Sequence, residues 1–413
     1  MNHFDTTFQK ALELSSIIHK FHESILNQTH VSTTLTLHIL SNQFHNSNIV
    51  FSPLSFHVVL SVLAAASKGE THDEILDFLN ANTTDDLNNL YSQLVSSILA
   101  DGSPNGGPRL NFVNGIWVDK DLTLKPCFKH LLETVYKITC CNQVDFKNKA
   151  EEITEEVNLW VTKETNGLIT HVLSGEAISS LTRYIFANAI YFKGSWTQKF
   201  EQSKTKKYDF HLLDGNKVQV PFMTSKKHQC VREYDDFKVL GLPYIQGDNV
   251  HQFTMYFYLP NAKNGLPSLV EKIGSNSDFF KRYVPMCEVE VGLFLLPKFK
   301  ISSWFEASDM LKDAGLVSLD GVGLTEMFVG QSPYVASKFV HKSFIEVNEE
   351  GTKVAATLLN IGYGGSPPIP VEKPKPVDFV ANHPFLFVIR EDNTGVVLFV
   401  GQVIDPSVDG NVS

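Results

Sequence analysis

Two hydrophobic patterns divide this chain, and their order constrains the fold more than any other feature. Before about residue 200, the clearest segments repeat apolar residues with the 3.6-residue period of a helix. Later segments are short runs of aromatic and β-branched residues separated by Gly, Pro, Asn and Asp, which is typical of strands and turns. Helices followed by strands predict an α+β protein.

The strongest helix signal is SPLSFHVVLSVLAAASKG, where Ser52 and Pro53 suit an N-cap and a first turn and Gly69 marks the end. Further helices are predicted in HDEILDFLN, DDLNNLYSQLVSSILA, PCFKHLLETVYKI and KAEEITEEVNLWVTKETNG. Strands are predicted in RYIFANAIYFKGSW, KVQVPFMTS, FKVLGLPYI, FTMYFYLP, CEVEVGLFLLPKFKIS and FLFVIREDNTGVVLFVGQV. In the last segment, Asp392 to Gly395 predict a hairpin turn.

Composition indicates a folded globular chain. Apolar residues make up 43% of the 413 residues and include 30 Phe, enough for an extended core. The formal net charge is -10 without any Lys/Arg block, so nucleic acid is not an expected partner. The sequence contains no run of about 18 apolar residues, so no membrane span is predicted. The N-terminal segment is interrupted by Asp5, Lys10, Glu13 and Lys20, so it lacks the continuous apolar stretch of a secretory signal.

The cysteines form an odd, scattered set without a CxxC pair. They are Cys127, Cys140, Cys141, Cys230 and Cys287. This set favours reduced thiols and an intracellular location, cytoplasmic or nuclear, over an extracellular one. The adjacent pair Cys140-Cys141 is interpreted as structural rather than reactive.

Catalytic and metal-binding motifs are missing from the sequence. It contains no G-x-S-x-G, no G-x-x-x-x-G-K-[ST] and no H-E-x-x-H. His19 and His22 lie one helical turn apart but lack a third ligand. Glu349 and Glu350, read as neighbours on a strand, would point to opposite faces, which favours a structural ion pair over acid–base catalysis. We expect neither enzymatic activity nor a cofactor or metal.

One long loop stands out near the C-terminus. Residues Gly362 to Pro376 are rich in Gly and Pro and lie between two strand-like segments. Loops longer than about 12 to 15 residues are usually functional or disordered. The flanking strands predict that both ends of this loop are held in place.

A series of separated segments connects the chain to a known family. The segments, in order, are NIVFSPLSFHVVLSVLAAASKGET, LADGSPNGGPRLNFVNGIWVD, ETNGLITHVL, IFANAIYFKGSW, YDFHLLDGNKVQVPFMTSKK, MYFYLPNAKNGL, LPKFKIS, HKSFIEVNEEGTKVAAT, DFVANHPFLFVI and TGVVLFVGQVIDP. They resemble the serpins, in particular those of plants, from about His30 to Pro406. The resemblance implies one domain of three β-sheets and about nine helices. It places the domain at residues 30–408, after a helical extension at 1–29, and an exposed reactive-centre loop at about 351–378.

The resemblance also implies a function and a mechanism. The protein would inhibit serine or cysteine proteases as a monomer. A protease attacks the reactive-centre loop as a substrate, and after acylation the loop inserts as a new strand into the central sheet and deforms the trapped enzyme. The family pattern, counted from Glu349, implies attack at the Gly365-Ser366 bond, and Tyr363-Gly364 is the alternative if the attacked bond is displaced, since Tyr363 suits a chymotrypsin-like pocket.

Specific positions carry over from the family pattern. The hinge comprises Glu349, Glu350, Gly351, Thr352, Lys353, Val354, Ala355, Ala356 and Thr357. The shutter residues, which hold the central strands together yet allow them to part, are Ser52, Pro53, Ser55, Asn188 and His341. Trp196 matches the residue at the top of the opening where the loop enters, and Lys298 matches the partner of Glu349.

The loop sequence is chemically suited to insertion. No Pro occurs between Gly351 and Ser366, so each residue there can donate a ladder hydrogen bond worth about 0.5 to 1.5 kcal/mol. In an inserted strand, Thr352 would lie on the buried face and Lys353 on the opposite face.

A non-inhibitory serpin that acts as a binding or storage-like protein is the alternative. Val354, Leu358 and Leu359 are larger than the small residues of inhibitory hinges and oppose insertion into a packed sheet. Gly365 offers a protease pocket no side chain. Thr352 and the small residues after it favour inhibition, which is the leading hypothesis. The N-terminal extension has a helical apolar pattern and is expected to pack on the body or on a partner.

Overall fold

The structure is a computed structural model that describes residues 3–43, 45–138, 140–167, 169–173, 178–226, 228–248, 250–316, 323–330, 336–351 and 375–409. The α-helices within this part are α1 His3–Lys20, α2 His22–His38, α3 Pro53–Ala66, α4 Glu70–Leu79, α5 Thr84–Leu90, α6 Ser96–Ile98, α7 Pro126–Thr134, α8 Ala150–Glu164, α9 Leu266–Gly274, α10 Phe279–Arg282 and α11 Ser308–Asp313. None of the helices in the described ranges is long and apolar enough to cross a membrane.

Strands make up three sheets. They are β1 Ile49–Phe51, β2 Arg109–Asp119, β3 Cys140–Val144, β4 Thr182–Lys193, β5 Lys206–His211, β6 Lys217–Met223, β7 Cys230–Glu233, β8 Phe237–Pro243, β9 Phe253–Pro260, β10 Val291–Pro297, β11 Phe299–Glu306, β12 Ala336–Val347, β13 Val377–Val380, β14 Phe385–Glu391 and β15 Val397–Val403. Their orders are β11-β12-β4-β2-β3 in the central sheet, β1-β15-β14-β9-β8-β7 in the six-stranded sheet and β13-β10-β6-β5 in the four-stranded sheet. The α+β class with three sheets is confirmed.

Helix α3 forms where the sequence predicts it. The Ser52 hydroxyl accepts the Ser55 N–H at 3.1 Å and Pro53 occupies the first turn. All α3 residues except Ala65 are buried, because the helix contacts α2, α4 and β15 at once. Such a helix belongs to the core rather than to the surface.

The central sheet has a parallel pair at its middle. Strands β12 and β4 run parallel, with a register from Ala336 opposite Thr182 to Phe344 opposite Tyr191. On either side, β11 pairs antiparallel with β12 and β2 pairs antiparallel with β4. A second hydrophobic cluster, which includes residues of α8 as well as of β2, β4 and β12, covers part of this sheet.

The C-terminal hairpin β14–β15 confirms the turn predicted at Asp392 to Gly395. Gly395 has φ of 89°, a conformation that other residues rarely adopt. The Glu391 carboxylate is fully buried and accepts the backbone N–H groups of Gln252 and Thr394 at 2.9 and 2.8 Å. The turn is therefore stabilised by a side chain as well as by its backbone conformation.

The order and continuity of the early elements differ from the sequence expectations in two places. Strands β1, β2 and β3 lie among the early helices, so the order of helices and strands is more mixed than the patterns suggest. Segment DDLNNLYSQLVSSILA is not one helix, because a π-helical turn at Tyr91–Val95 separates α5 from α6.

All five cysteines lie in the described ranges and none forms a disulfide. Burial raises the pKa of the Cys140 thiol to about 12 and also raises that of Cys141. Both groups are therefore protonated at neutral pH and lack the thiolate that a reactive cysteine needs.

Candidate functional site

The candidate site is the seam between β4 and β12, the two parallel strands at the middle of the central sheet. Strand β12 ends at Val347, and the turn Asn348 to Gly351 follows it at the upper end of the seam. We call this turn the hinge turn. Because β4 is parallel to β12, its C-terminal end lies at the same edge of the sheet.

Glu349 belongs to the hinge turn, and its side chain is buried and paired with a cation. Its Oε2 lies 2.8 Å from the Lys298 Nζ, and its Oε1 accepts the Thr205 hydroxyl at 2.7 Å. Burial raises the pKa of the Glu349 carboxyl, but hydrogen bonds from Lys298 and Thr205 outweigh it and lower the pKa below its usual value. The carboxylate is therefore charged at neutral pH and both its oxygens are bonded.

Backbone hydrogen bonds join the hinge turn to the segment after β4. The Trp196 N–H donates to the Glu350 carbonyl at 3.2 Å, and the Phe200 N–H donates to the Glu349 carbonyl at 2.9 Å. Gly351 has φ of 67°, and a Cβ there would overlap the Trp196 backbone nitrogen. Only glycine fits this close approach without moving the backbone.

Trp196 closes the upper end of the seam. Its indole Nε1 donates to the Asn348 carbonyl at 2.9 Å, and its ring stacks on Tyr244 with centroids 4.5 Å apart. A cleft of about 30 Å³ remains between the strands, lined by Tyr191 and Phe344 among others. Movement of the hinge turn away from Trp196 would widen this cleft.

A chain of buried hydrogen bonds crosses the middle of the seam. The Ser52 N–H donates to His341 Nε2 at 3.2 Å, so the imidazole proton is on Nδ1, which donates to Asn188 Oδ1 at 2.9 Å. Asn188 Nδ2 then donates to Asn114 Oδ1 at 2.7 Å. Burial lowers the pKa of His341 to about 3, so its ring is neutral at physiological pH.

Two serines extend this network toward the six-stranded sheet. The Val50 N–H of β1 donates to the Ser303 hydroxyl at 2.8 Å, and the Ser343 hydroxyl donates to the Val50 carbonyl at 2.7 Å. Strands β11 and β12 are thereby bonded to β1 beneath them.

The Ser55 hydroxyl is buried without a hydrogen-bond partner in the described part of the chain.

The described site residues fall into two clusters. Glu349, Glu350, Gly351, Trp196 and Lys298 meet at the upper end of the seam, whereas Ser52, Pro53, Ser55, Asn188 and His341 meet at its middle. Residues Thr352 to Thr357 and the Gly365-Ser366 bond lie outside the described residues. Glu349 and Glu350 follow β12 rather than belong to it, so the strand-based argument about their opposite faces does not apply.

Sequence reasoning missed Asn114, Thr205, Ser303 and Ser343. Asn114 had a usable signal, because a polar residue in the middle of the apolar segment NFVNGIWVD requires a buried partner. The other three are ordinary small polar residues whose partners are distant in sequence. Within the described ranges, no group of three or more His, Cys, Asp or Glu side chains could hold a metal ion.

This arrangement, with a hinge turn after one central strand and a hydrogen-bonded seam beside it, is that of a serpin. The model of the family Serpin (serine protease inhibitor) matches residues 27–406, and the chain belongs to this family. In general terms it is therefore a serpin-type protease inhibitor, whose class of partner is a protease, and serpins are generally not enzymes.

The chain is similar to several plant serpins over nearly its whole length. It is 53% identical over 390 residues to Serpin-ZX of Arabidopsis thaliana and 48% identical over 396 residues to Serpin-ZX of Hordeum vulgare, in each case over 93% of this chain and 98% of the relative. The structure of Arabidopsis AtSerpin1 in its native stressed conformation has a TM-score of 0.87 and 51% identity, over 94% of this chain and 98% of that one.

Proposed function

We propose that this serpin traps serine proteases, and cysteine proteases as a second class, by inserting its reactive-centre loop between β12 and β4. The observation that carries the proposal is the parallel β12–β4 seam, with the hinge turn leading out of β12 at its upper end. A segment that follows β12 through a tight turn re-enters the sheet antiparallel to β12. Since β4 is parallel to β12, the new strand would be antiparallel to both neighbours.

Insertion would replace one parallel interface by two antiparallel ones. Parallel pairing is slightly less stable per residue than antiparallel pairing. The inserted strand would also add a row of hydrogen bonds, each with a net contribution of about 0.5 to 1.5 kcal/mol. The closed sheet is thus the less favourable of the two arrangements once the loop is free to enter.

The contacts at the seam supply a barrier to this change. Entry of the loop requires Gly351 to leave Trp196, and the His341–Asn188 hydrogen bond to break as β12 and β4 part. His341 is neutral, so the bond breaks without separating two charges. The likeness to AtSerpin1, solved in a native stressed conformation, supports a similar uninserted state here.

The remaining assignments follow the family pattern. We propose Gly365-Ser366 as the attacked bond and Thr352 to Thr357 as the hinge residues that enter first. The inhibitor acts as a monomer in the cytoplasm or nucleus. The serpin domain spans 30–408 after an extension at 1–29. Helix α2 runs across that boundary, and Ile25, which belongs to the extension, is buried.

The test compares Thr352→Arg with Lys353→Arg. The first substitution places a charge on the face that becomes buried, whereas the matched control changes a cation on the opposite face. With a protease that cuts between Ile361 and Ser366, located by mass spectrometry, the parent and the control should gain a large increase in unfolding temperature after the cut. Thr352→Arg should gain none and should act as a substrate.

Stable inhibition by Thr352→Arg would contradict the insertion mechanism. If the cut parent protein also shows no increase in unfolding temperature, the loop does not enter the sheet. The non-inhibitory function would then be the better conclusion, as the large hinge residues Val354, Leu358 and Leu359 suggest.

A further inference from the structure

The N-terminal extension forms one wall of a cavity that the inhibitory mechanism does not use. The cavity encloses about 250 Å³ and lies between the α1–α2 junction, α3, the end of α4 and α5. We call it the extension cavity. Its lining residues are Lys20, Phe21, Glu23, Ser24, Asn27, His57, Leu79, Asn80, Ala81, Asn82, Asp86, Leu87, Asn89 and Leu90.

The floor of the extension cavity holds a buried imidazole without a partner. His57 is 3% exposed, and neither of its ring nitrogens hydrogen-bonds to a described residue. Burial lowers its pKa to about 4, so at neutral pH the ring presents one donor and one acceptor. Buried polar groups in native proteins nearly always have partners, so a molecule in the cavity is expected to supply them.

The rim is dominated by uncharged amides. Asn27 and Asn80 bond to each other, with Asn27 Nδ2 donating to the Asn80 carbonyl and Asn80 Nδ2 donating to Asn27 Oδ1, both at 2.6 Å. These bonds hold α2 against the end of α4 while leaving each amide a further hydrogen. The side-chain amides of Asn82 and Asn89 bond to no described residue and are exposed at the rim.

The charged groups of the rim argue against an ionic ligand. Among the described lining residues, Glu23 and Asp86 outnumber the one cation, Lys20, which disfavours phosphate or sulfate groups. Asp86 already accepts the Thr83 hydroxyl at 2.7 Å, and within the described ranges no group of three or more acidic, His or Cys side chains could hold a metal ion here. Uncharged groups that both donate and accept hydrogen bonds suit this rim best, and a hydroxyl is the most compact of them.

We propose that the extension cavity binds a small neutral polyhydroxylated molecule of mono- or disaccharide size. The neutral His57 ring and the amides of Asn82 and Asn89 would bond its hydroxyls, while Leu79, Leu87 and Leu90 cover its apolar edges. A volume of about 250 Å³ is below the usual range of about 300 to 1,000 Å³ for drug-sized ligands, which fits a compact sugar. The N-terminal extension would then complete a binding site as well as pack on the body.

The test follows the His57 ring directly in the full-length protein. Histidine labelled with ¹³C at Cε1 gives one signal per ring, and the His57 signal is identified by its loss in His57→Gln. Glucose, sucrose, inorganic phosphate and spermidine are the probes. We expect glucose or sucrose to shift the His57 signal saturably, with a dissociation constant in the millimolar range, and the two ions to leave it unchanged.

A pair of rim variants controls the titration. Asn89→Ala removes one neutral hydrogen bond and should weaken sugar binding about fivefold. Asn264→Ala, which removes an exposed amide from a different groove beside α9, should bind as the parent does. A shift caused by phosphate or spermidine instead would overturn the ligand class. No shift with any probe would mean that the cavity holds only water, and equal binding by both variants would place the sugar elsewhere.

Discussion

Lys342 is a buried cation that weakens the closed central sheet. It lies on β12 beside the seam, opposite Trp304 of β11 and Ala189 of β4, and is 8% exposed. No acidic group in the described ranges forms an ion pair with it. Burial lowers the pKa of the Lys342 ammonium, which shows that the charged form is disfavoured where it stands.

The substitution Lys342→Met keeps most of the side-chain length and removes the charge. An unpaired buried polar group costs about 1 to 3 kcal/mol, and a charged one more. We therefore expect the free energy of unfolding at neutral pH to rise by about 1 to 3 kcal/mol. If loop insertion is driven by the weakness of the closed sheet, the variant should also insert its loop more slowly after cleavage.

The stability gained by Lys342→Met should depend on pH. The pKa of Lys342 is lower in the folded protein than in the unfolded chain, so the destabilisation is fully present below the folded pKa and disappears as pH rises through it toward about 10.4. The gain from Lys342→Met should therefore shrink at alkaline pH. Urea unfolding at neutral and alkaline pH measures the difference.

Lys300→Met is the matched control. Lys300 lies on the same sheet but is 50% exposed, 3.9 Å from Asp409, and surface cations of this kind contribute about 0 to 1 kcal/mol. A change of unfolding free energy in this control as large as that in Lys342→Met would refute the reasoning from burial. So would a Lys342→Met protein that is no more stable than the parent.

Three further predictions concern the hinge and the seam. Lys298→Met leaves the buried Glu349 carboxylate without its cation, so urea unfolding should show a loss of about 1 to 3 kcal/mol, and an unchanged stability would show that the pair contributes nothing. The pKa of His341 is about 3 in the folded protein and 6.5 in the unfolded chain. Its contribution to the free energy of unfolding is therefore complete above pH 6.5 and is lost toward pH 3, at about 1.4 kcal/mol per pH unit. His341→Gln should flatten this acid side of the stability curve, and an unaltered slope would exclude the ring as its source. Asn114→Ala should reduce the free energy of unfolding by about 1 to 3 kcal/mol because it leaves the buried Asn188 amide without its acceptor. Asn111→Ala, on the half-buried end of the same strand, should cost less.

Several elements of the fold follow from local sequence. Ser52 and Pro53 start α3 because a hydroxyl can cap free N–H groups and proline suits a first turn. The turn from Asp392 to Gly395 could be predicted because it needs a residue with a positive φ, which Gly395 readily adopts. The ordered family segments predicted the hinge and the seam, and the structure brings Glu349 to Lys298 although 51 positions separate them in the sequence.

Tertiary structure decided the partners of polar residues and the charge states that result. Asn114 and Lys342 both lie on strands of the central sheet, yet Asn114 bonds to an amide whereas Lys342 bonds to no side chain among the described residues. The extension cavity likewise exists only because α2 packs against α4 and α5, which a helical pattern alone does not specify. The sequence by itself determined the elements and their family, since periodicity, caps and turns act within a few residues. Burial, hydrogen-bond partners and pKa values depend on contacts between distant segments, so only the folded chain decided them.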